Sequence, residues 1–264
     1  MAGVIVLFLL AGTVGPLLWK YQATQVDIGS LLLPPSLDHP MGTDGVGRDV
    51  FARFLEGSRI SILVGMSVVI VGAVVGGLVG AIAGAIGGWL DQVLMRVMDA
   101  ILAFPALILA MAVTIGLGAG LLTAALGVII AGIPWYARVV RSEVLRIRNL
   151  TFVEAAAALG ASRSYVLGRH IIPHVLPTLA IQGAAAFGSA ILSLAALGFV
   201  GLGAQVPTPE WGAMITEGLQ LTLTGQWWVT FFPGMGLLVC VTAASIFADH
   251  LRDRLDPRSG GDHA

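Results

Sequence analysis

Residues 151–177, TFVEAAAALGASRSYVLGRHIIPHVLP, form a polar island in an otherwise apolar chain. Thr151 followed three residues later by Glu154 has the capping-box spacing of a helix start. Ala155 to Leu159 are strong helix formers. Gly160 stands where such a helix would stop, because glycine takes the left-handed C′ conformation without a steric penalty. Ser162 is placed to cap a second helix, which the spacing predicts to run to about Ile172 before Pro173 and Pro177 prevent continuation. The expectation is helix, glycine bend, helix, with a first helix slim enough on its alanine face to enter a partner's groove. A plain interfacial connection is the alternative that the pattern alone leaves open.

The surroundings of this island are those of a membrane protein. Of 264 residues 57% are hydrophobic and 11% charged, with a mean hydropathy of +0.92, whereas soluble domains carry about 25% charge. Apolar runs cover roughly 2–19, 60–86, 93–116, 121–141, 178–203 and 229–249, which predicts six transmembrane helices. The first run has neither the basic flank nor the cleavage site of a signal peptide and is expected to be retained. Gly72, Gly76, Gly80 and Gly84 recur at the spacing that lets helix backbones approach closely in lipid. Pro105 and Pro134 are expected to kink their helices. Arg96 and Asp99, three apart, are placed to pair on one helix face, as a functional pair or as an anchor.

Charge distribution orients the chain. Arg138, Arg141, Arg146, Arg148, Arg163, Arg169, Arg96, Arg252, Arg254 and Arg258 fall on one side, ten residues, against four on the other, Lys20, Arg48, Arg53 and Arg59. The positive-inside tendency makes the 151–177 loop and both termini cytoplasmic. The resulting division is 1–57, a first transmembrane helix plus extracytoplasmic loop; 58–250, the transmembrane domain containing loop 151–177; and 251–264, a cytoplasmic tail. A net charge of −1 gives no reason to expect nucleic acid as a partner. Lys20 is the sole lysine and no phosphate-loop motif occurs, so the chain does not bind ATP by that route. Cys240, the single cysteine, lies in an apolar run and reads as packing. Asp38, His39, Asp44 and Asp49 fit neither a calcium nor a zinc spacing, so no metal and no cofactor is expected; a turn held by Gly42, Gly45 and Gly47 is the preferred reading.

Glu154-Ala155-Ala156, Gly160 and Ile172-Pro173 together resemble the EAA motif of type I ABC importer permeases, although His170-Ile171-Ile172-Pro173 departs from that motif's usual Ile-x-Leu-Pro ending. The continuation RHIIPHVLP, the stretch HPMGTDGVGRDV at 39–50, LGFVGLGAQVPTPEWG at 197–212 and DHLRDRLDPR at 249–258 resemble, in the expected order, segments of the dipeptide/oligopeptide (DppC/OppC-like) branch. The resemblance implies an all-α integral membrane fold of six transmembrane helices with cytoplasmic coupling helices. It implies a non-enzymatic permease subunit in the cell membrane that forms half of a path for di- or oligopeptides, or a related ligand such as haem or a nickel complex. Its implied partners are a second permease subunit of DppB/OppB type, ATP-binding subunits that carry the hydrolysis, and an extracytoplasmic solute-binding protein. Thr151, Glu154, Ala155, Ala156, Gly160, Ile172 and Pro173 would form the ATPase-coupling site. Gln205, Glu210 and Trp211 would meet the binding protein, with interfacial anchoring as the alternative for the tryptophan. The rival function, an ion-gradient-driven secondary transporter, needs embedded acids, and five of the six expected spans lack an internal Asp or Glu.

Overall fold

The computed structural model describes residues 2–255, and all regular structure among them is helical apart from one isolated bridge between Thr43 and Asp49. The tail residues Pro257 and Arg258 lie outside the described residues. Helix α1, Ala2–Leu18, is 17 residues long and uncharged. Helix α2, Val50–Ile86, is the axis of the molecule: 37 residues, started by Asp49, whose carboxylate accepts the Ala52 amide at 2.7 Å, and stopped at Gly87, φ 71°. At 1.5 Å per residue it is about 55 Å long, well beyond a hydrocarbon core of about 30 Å. It therefore carries structure at both ends. The division drawn at residue 57/58 falls inside this one helix.

Helices α3, Gly88–Leu102, and α4, Ala106–Leu117, replace the straight third span that the hydropathy predicts. They meet at a bend of 89°. Pro105 explains the break: it has no amide to continue α3, and it disfavours helical geometry at Phe104 before it. Helix α5, Leu121–Ile147, runs on past Pro134. After the loop elements come α8, Ile172–Phe199, α9, Trp211–Leu223, and α10, Trp228–Leu255. Four helices are long and apolar enough to cross a membrane, five if the bent pair is one span, and α1 falls short in length. The expected six therefore holds only if α1 and the broken pair are each counted.

The glycine row of α2 packs on α5. A Cβ built at Gly76 would lie 2.5 Å from the Ile133 carbonyl oxygen, at Gly80 2.2 Å from that of Ala137, and at Gly84 2.9 Å from the Val144 side chain. Backbone meets backbone here, the use the spacing predicts. Core clusters follow along α2: Trp211, Met214, Trp228 and Ile191 near its Val50 end, Ala110, Ala125, Ile129 and Leu194 in the middle, and Val144, Ile147, Val153 and Ile171 near its Ile86 end.

Candidate functional site

At the Ile86 end, Arg148 of the α5 terminus donates to the Gly84 carbonyl at 3.1 Å, tying the ends of α2 and α5 together. Helix α6, Thr151–Ala158, follows directly. It starts on the Leu150 carbonyl, which accepts the amides of Val153 (2.9 Å) and Glu154 (3.2 Å). The backbone thus takes the Glu154 amide that a capping box would give to the Thr151 hydroxyl, and Thr151 is already helical. The far end matches expectation. Gly160 has φ +88°, and the Ala161 amide reaches back to the Ala156 carbonyl at 3.1 Å, the six-to-one bond of a Schellman stop.

Val153 is the buried root of α6, seated among Val144, Ile147, Ile171 and Val175. Glu154 and Ala155 are exposed, Ala156 is half-buried, and Leu159 is 89% exposed. The Ser162 hydroxyl accepts the Tyr165 amide at 3.3 Å and starts α7, Arg163–Val166. This second helix does not stop at Ile172. It widens into a π turn, Leu167–Ile171, in which the Ile172 amide reaches the Leu167 carbonyl, and continues into α8. Pro173 sits in the first turn of α8, where it has no amide to carry the ladder on from the π turn, and Pro177 lies inside the helix. Phe152 packs near His174 (5.4 Å between centroids) and His170 (6.3 Å), joining α6 to the π turn. Of the predicted coupling residues, Thr151, Glu154, Ala155 and Gly160 share one exposed surface, while Ile172 and Pro173 form the joint to α8.

Charged side chains beside α5 pair differently from expectation. Asp99 binds Arg138 at 2.6 Å rather than Arg96 on its own helix, and Asp91 accepts two bonds from Arg141 at 2.5 and 2.6 Å. Arg141 meets Asp91 with both arms of its guanidinium fork, and Arg138 meets Asp99 with one.

At the Val50 end, α9 begins on Glu210, whose carboxylate accepts the amides of Gly212 (3.0 Å) and Ala213 (2.9 Å) and the Ser61 hydroxyl (3.0 Å). Trp211 is fully buried; it stacks on Phe54 with 5.5 Å between centroids and donates its indole N–H to the Phe54 carbonyl at 3.2 Å. The chain's own packing covers both side chains, and Trp211 is therefore no interfacial anchor. Gln205 alone of the three is exposed, its amide donating to the Gly201 and Gly203 carbonyls.

A buried charge network lies beneath them, and the sequence reading missed it. Arg48 donates to Asp44 (2.6 Å) and Glu217 (2.5 Å), and Arg53 donates to Glu217 at 3.0 Å. Asp49 accepts the Trp19 indole at 3.0 Å and faces His39 Nδ1 at 2.8 Å. Asp44 and Asp49 therefore anchor the loop, which turns at Gly42 (φ +73°) and Gly47 (φ +78°), while Gly45 is not left-handed. The available signal was Glu217, a lone acid in the apolar stretch 211–228 that needs cations beside it. On the loop surface the Ser30 hydroxyl and Gly29 amide hold the Asp27 carboxyl below the usual range, and Lys20 does the same for Asp38 while its own pKa rises.

Comparison with known proteins adds three findings. The sequence profile of the binding-protein-dependent transport system inner membrane component matches residues 76–259. The chain is 44% identical to the probable D,D-dipeptide transport system permease protein DdpC of Escherichia coli K12, over 98% of this chain and 87% of that protein. It is 38% identical to the dipeptide transport system permease protein DppC of Alkalihalophilus pseudofirmus, over 97% and 84%. The glutathione transport system permease protein GsiD of Salmonella typhimurium matches at 44%, over 89% and 77%. In fold the chain is similar to a chain of the inward-facing MetNI methionine ABC transporter, with a TM-score of 0.62 at 20% identity, covering 76% of this chain and 95% of that one.

Proposed function

Since this chain belongs to the family of binding-protein-dependent transport system inner membrane components, the permeases of ABC importers, we propose that it forms half of a peptide path, coupled through α6 to separate ATP-hydrolysing subunits. The second half is another permease subunit, and an extracytoplasmic binding protein delivers a di- or oligopeptide or a small relative such as glutathione. Permease relatives for D,D-dipeptides, dipeptides and glutathione support that substrate class. The chain itself hydrolyses nothing.

One observation carries the coupling role. Among its described side chains, helix α6 buries Val153 and turns Glu154, Ala155 and Leu159 outward beyond the ends of the spans. A narrow helix with an exposed leucine and a glycine stop suits a groove on a partner. Val at Gly160 should cost about 1–2 kcal/mol through its positive φ. The expected result is that Gly160→Val and Glu154→Lys reach the membrane in near-normal amount but fail to retain the ATP-binding subunits or to drive ATP-dependent uptake in vesicles without ion gradients. Glu154→Gln should weaken retention as well, because the Leu150 carbonyl, and no side-chain cap, starts the helix. Normal retention and uptake in all three variants would remove α6 from the coupling role.

Orientation follows the same reading, with both termini and α6 cytoplasmic and the 20–49 loop outside. The ten-to-four split of basic residues supports it. A reporter inserted after Ser162 is expected to read cytoplasmic and one near Asp44 extracytoplasmic; the reverse at both sites would invert the assignment.

A further inference from the structure

Halfway along the bundle, α2, α4, α5 and α8 enclose a concavity of about 430 Å³. The right-angled turn at Pro105 creates it, because α4 leaves the line of α3 and becomes a side wall through Ala106, Leu107 and Ala110. Most of the lining is small and apolar. Polar atoms enter from Tyr136 on α5 and from Gln182, Ser189 and Ser193 on α8, and no Asp, Glu, Lys, Arg or His lines the space. Positions 182, 189 and 193 lie on one helical face, seven and four residues apart. Among the described residues, Gln182 and Tyr136 have no hydrogen-bond partner in the chain. Ser189 and Ser193 give their protons to the carbonyls of Ala186 and Ser189, both at 2.8 Å, and keep their lone pairs as acceptors.

Resting on the peptide-permease reading above, we propose that this concavity is a hydrated chamber in which Gln182, Ser189, Ser193 and Tyr136 take the main-chain amides of the transported peptide and leave its side chains unread. A peptide unit carries one donor and one acceptor. The amide of Gln182 and the hydroxyl of Tyr136 offer both, and the serines add acceptors. A charge in the wall would admit one class of side chain and repel the other; a neutral wall at mid-membrane accepts all classes with similar, weak affinity. Trp135, 55% exposed, supplies an apolar face at the edge for side chains of any kind.

The test uses the assembled complex with its ATPase subunits and binding protein. Cys240, the single cysteine, is fully buried and gives a quiet background for labelling. Ser189→Cys and Ser193→Cys are expected to react with a charged methanethiosulfonate at least about tenfold faster than Ile70→Cys on the outer apolar surface, since a thiolate forms in water and not in lipid. Gln182→Leu should slow uptake of dilysine and diglutamate alike by about fivefold, one hydrogen bond's worth, with the ATPase subunits still bound. Ser189→Asp should raise the dilysine-to-diglutamate uptake ratio on the order of tenfold over wild type. A purely structural role for Ser189 would not move that ratio. Unreactive cysteines at 189 and 193, as lipid or a tightly packed second permease would produce, overturn the chamber. An unchanged ratio in Ser189→Asp overturns the peptide contact. If the wild-type complex imports no peptide while both cysteines react, the substrate class proposed for the chain and the ligand named here are both wrong, and the hydrated chamber alone stands.

Discussion

Glu217→Leu is expected to lower the thermal midpoint of the solubilised protein by roughly 10 °C, following a loss of about 3–5 kcal/mol. Glu217 is the one carboxylate that hydrogen-bonds both Arg48 and Arg53, whose side chains are 7% and 1% exposed. With Asp44 the four groups are neutral. Without Glu217 one positive charge stays buried, and Asp44 cannot serve both arginines: it holds Arg48 at 2.6 Å but stands 3.7 Å from Arg53 Nε. Arg53 Nη1 already lacks a partner, so this guanidinium has no reserve of hydrogen bonds. The double variant Glu217→Leu/Arg53→Met should recover much of the loss, because removing both halves of a buried ion pair costs far less than removing one. A single variant that melts within 2 °C of wild type, a window set by about 1 kcal/mol at this size, would show that the network contributes little to stability.

Gly80→Ala should be nearly as damaging, despite adding a single methyl group. Its Cβ would sit 2.2 Å from the Ala137 carbonyl oxygen and 2.9 Å from the Arg141 amide nitrogen, both backbone atoms that no rotamer change can move. Helices α2 and α5 must separate, at an expected cost of about 3 kcal/mol, and α5 carries α6 at its end. Both the yield of folded protein and retention of ATPase subunits should fall. Gly116→Ala is the control: nothing lies within 4 Å of its Cβ, and alanine is the better helix former. If the two variants behave alike, close backbone contact is not what holds α2 to α5.

These two sites differ in how far they could be read from sequence. The glycine row was legible because a period of four residues in an apolar run points to close approach of a neighbouring helix, whether for fixed packing or for sliding. Gly160 and Ser162 were legible for the same local reason. The charge network was not, since Arg53 and Glu217 are 164 residues apart and no local spacing links them. Trp211 misled for a related reason: beside a polar loop it has the sequence appearance of a membrane-surface residue, yet Phe8 and Phe54 enclose it from the opposite end of the chain. Hydropathy recorded that residues 93–116 are apolar but carries no directional information, so the turn at Pro105 read as a mild kink. Arg96 and Asp99 show the limit of helical spacing, which permits a contact that a better-placed arginine then takes.

The π turn at Leu167–Ile171 has a mechanical consequence. Between α6 and α8 the chain stores one residue of slack compared with plain α winding. Rewinding that turn to plain α geometry would turn α8 by about 100° about its own axis relative to α7. The joint between α7 and α8 thus holds a reserve of twist, and not of bend, for the rod that follows it.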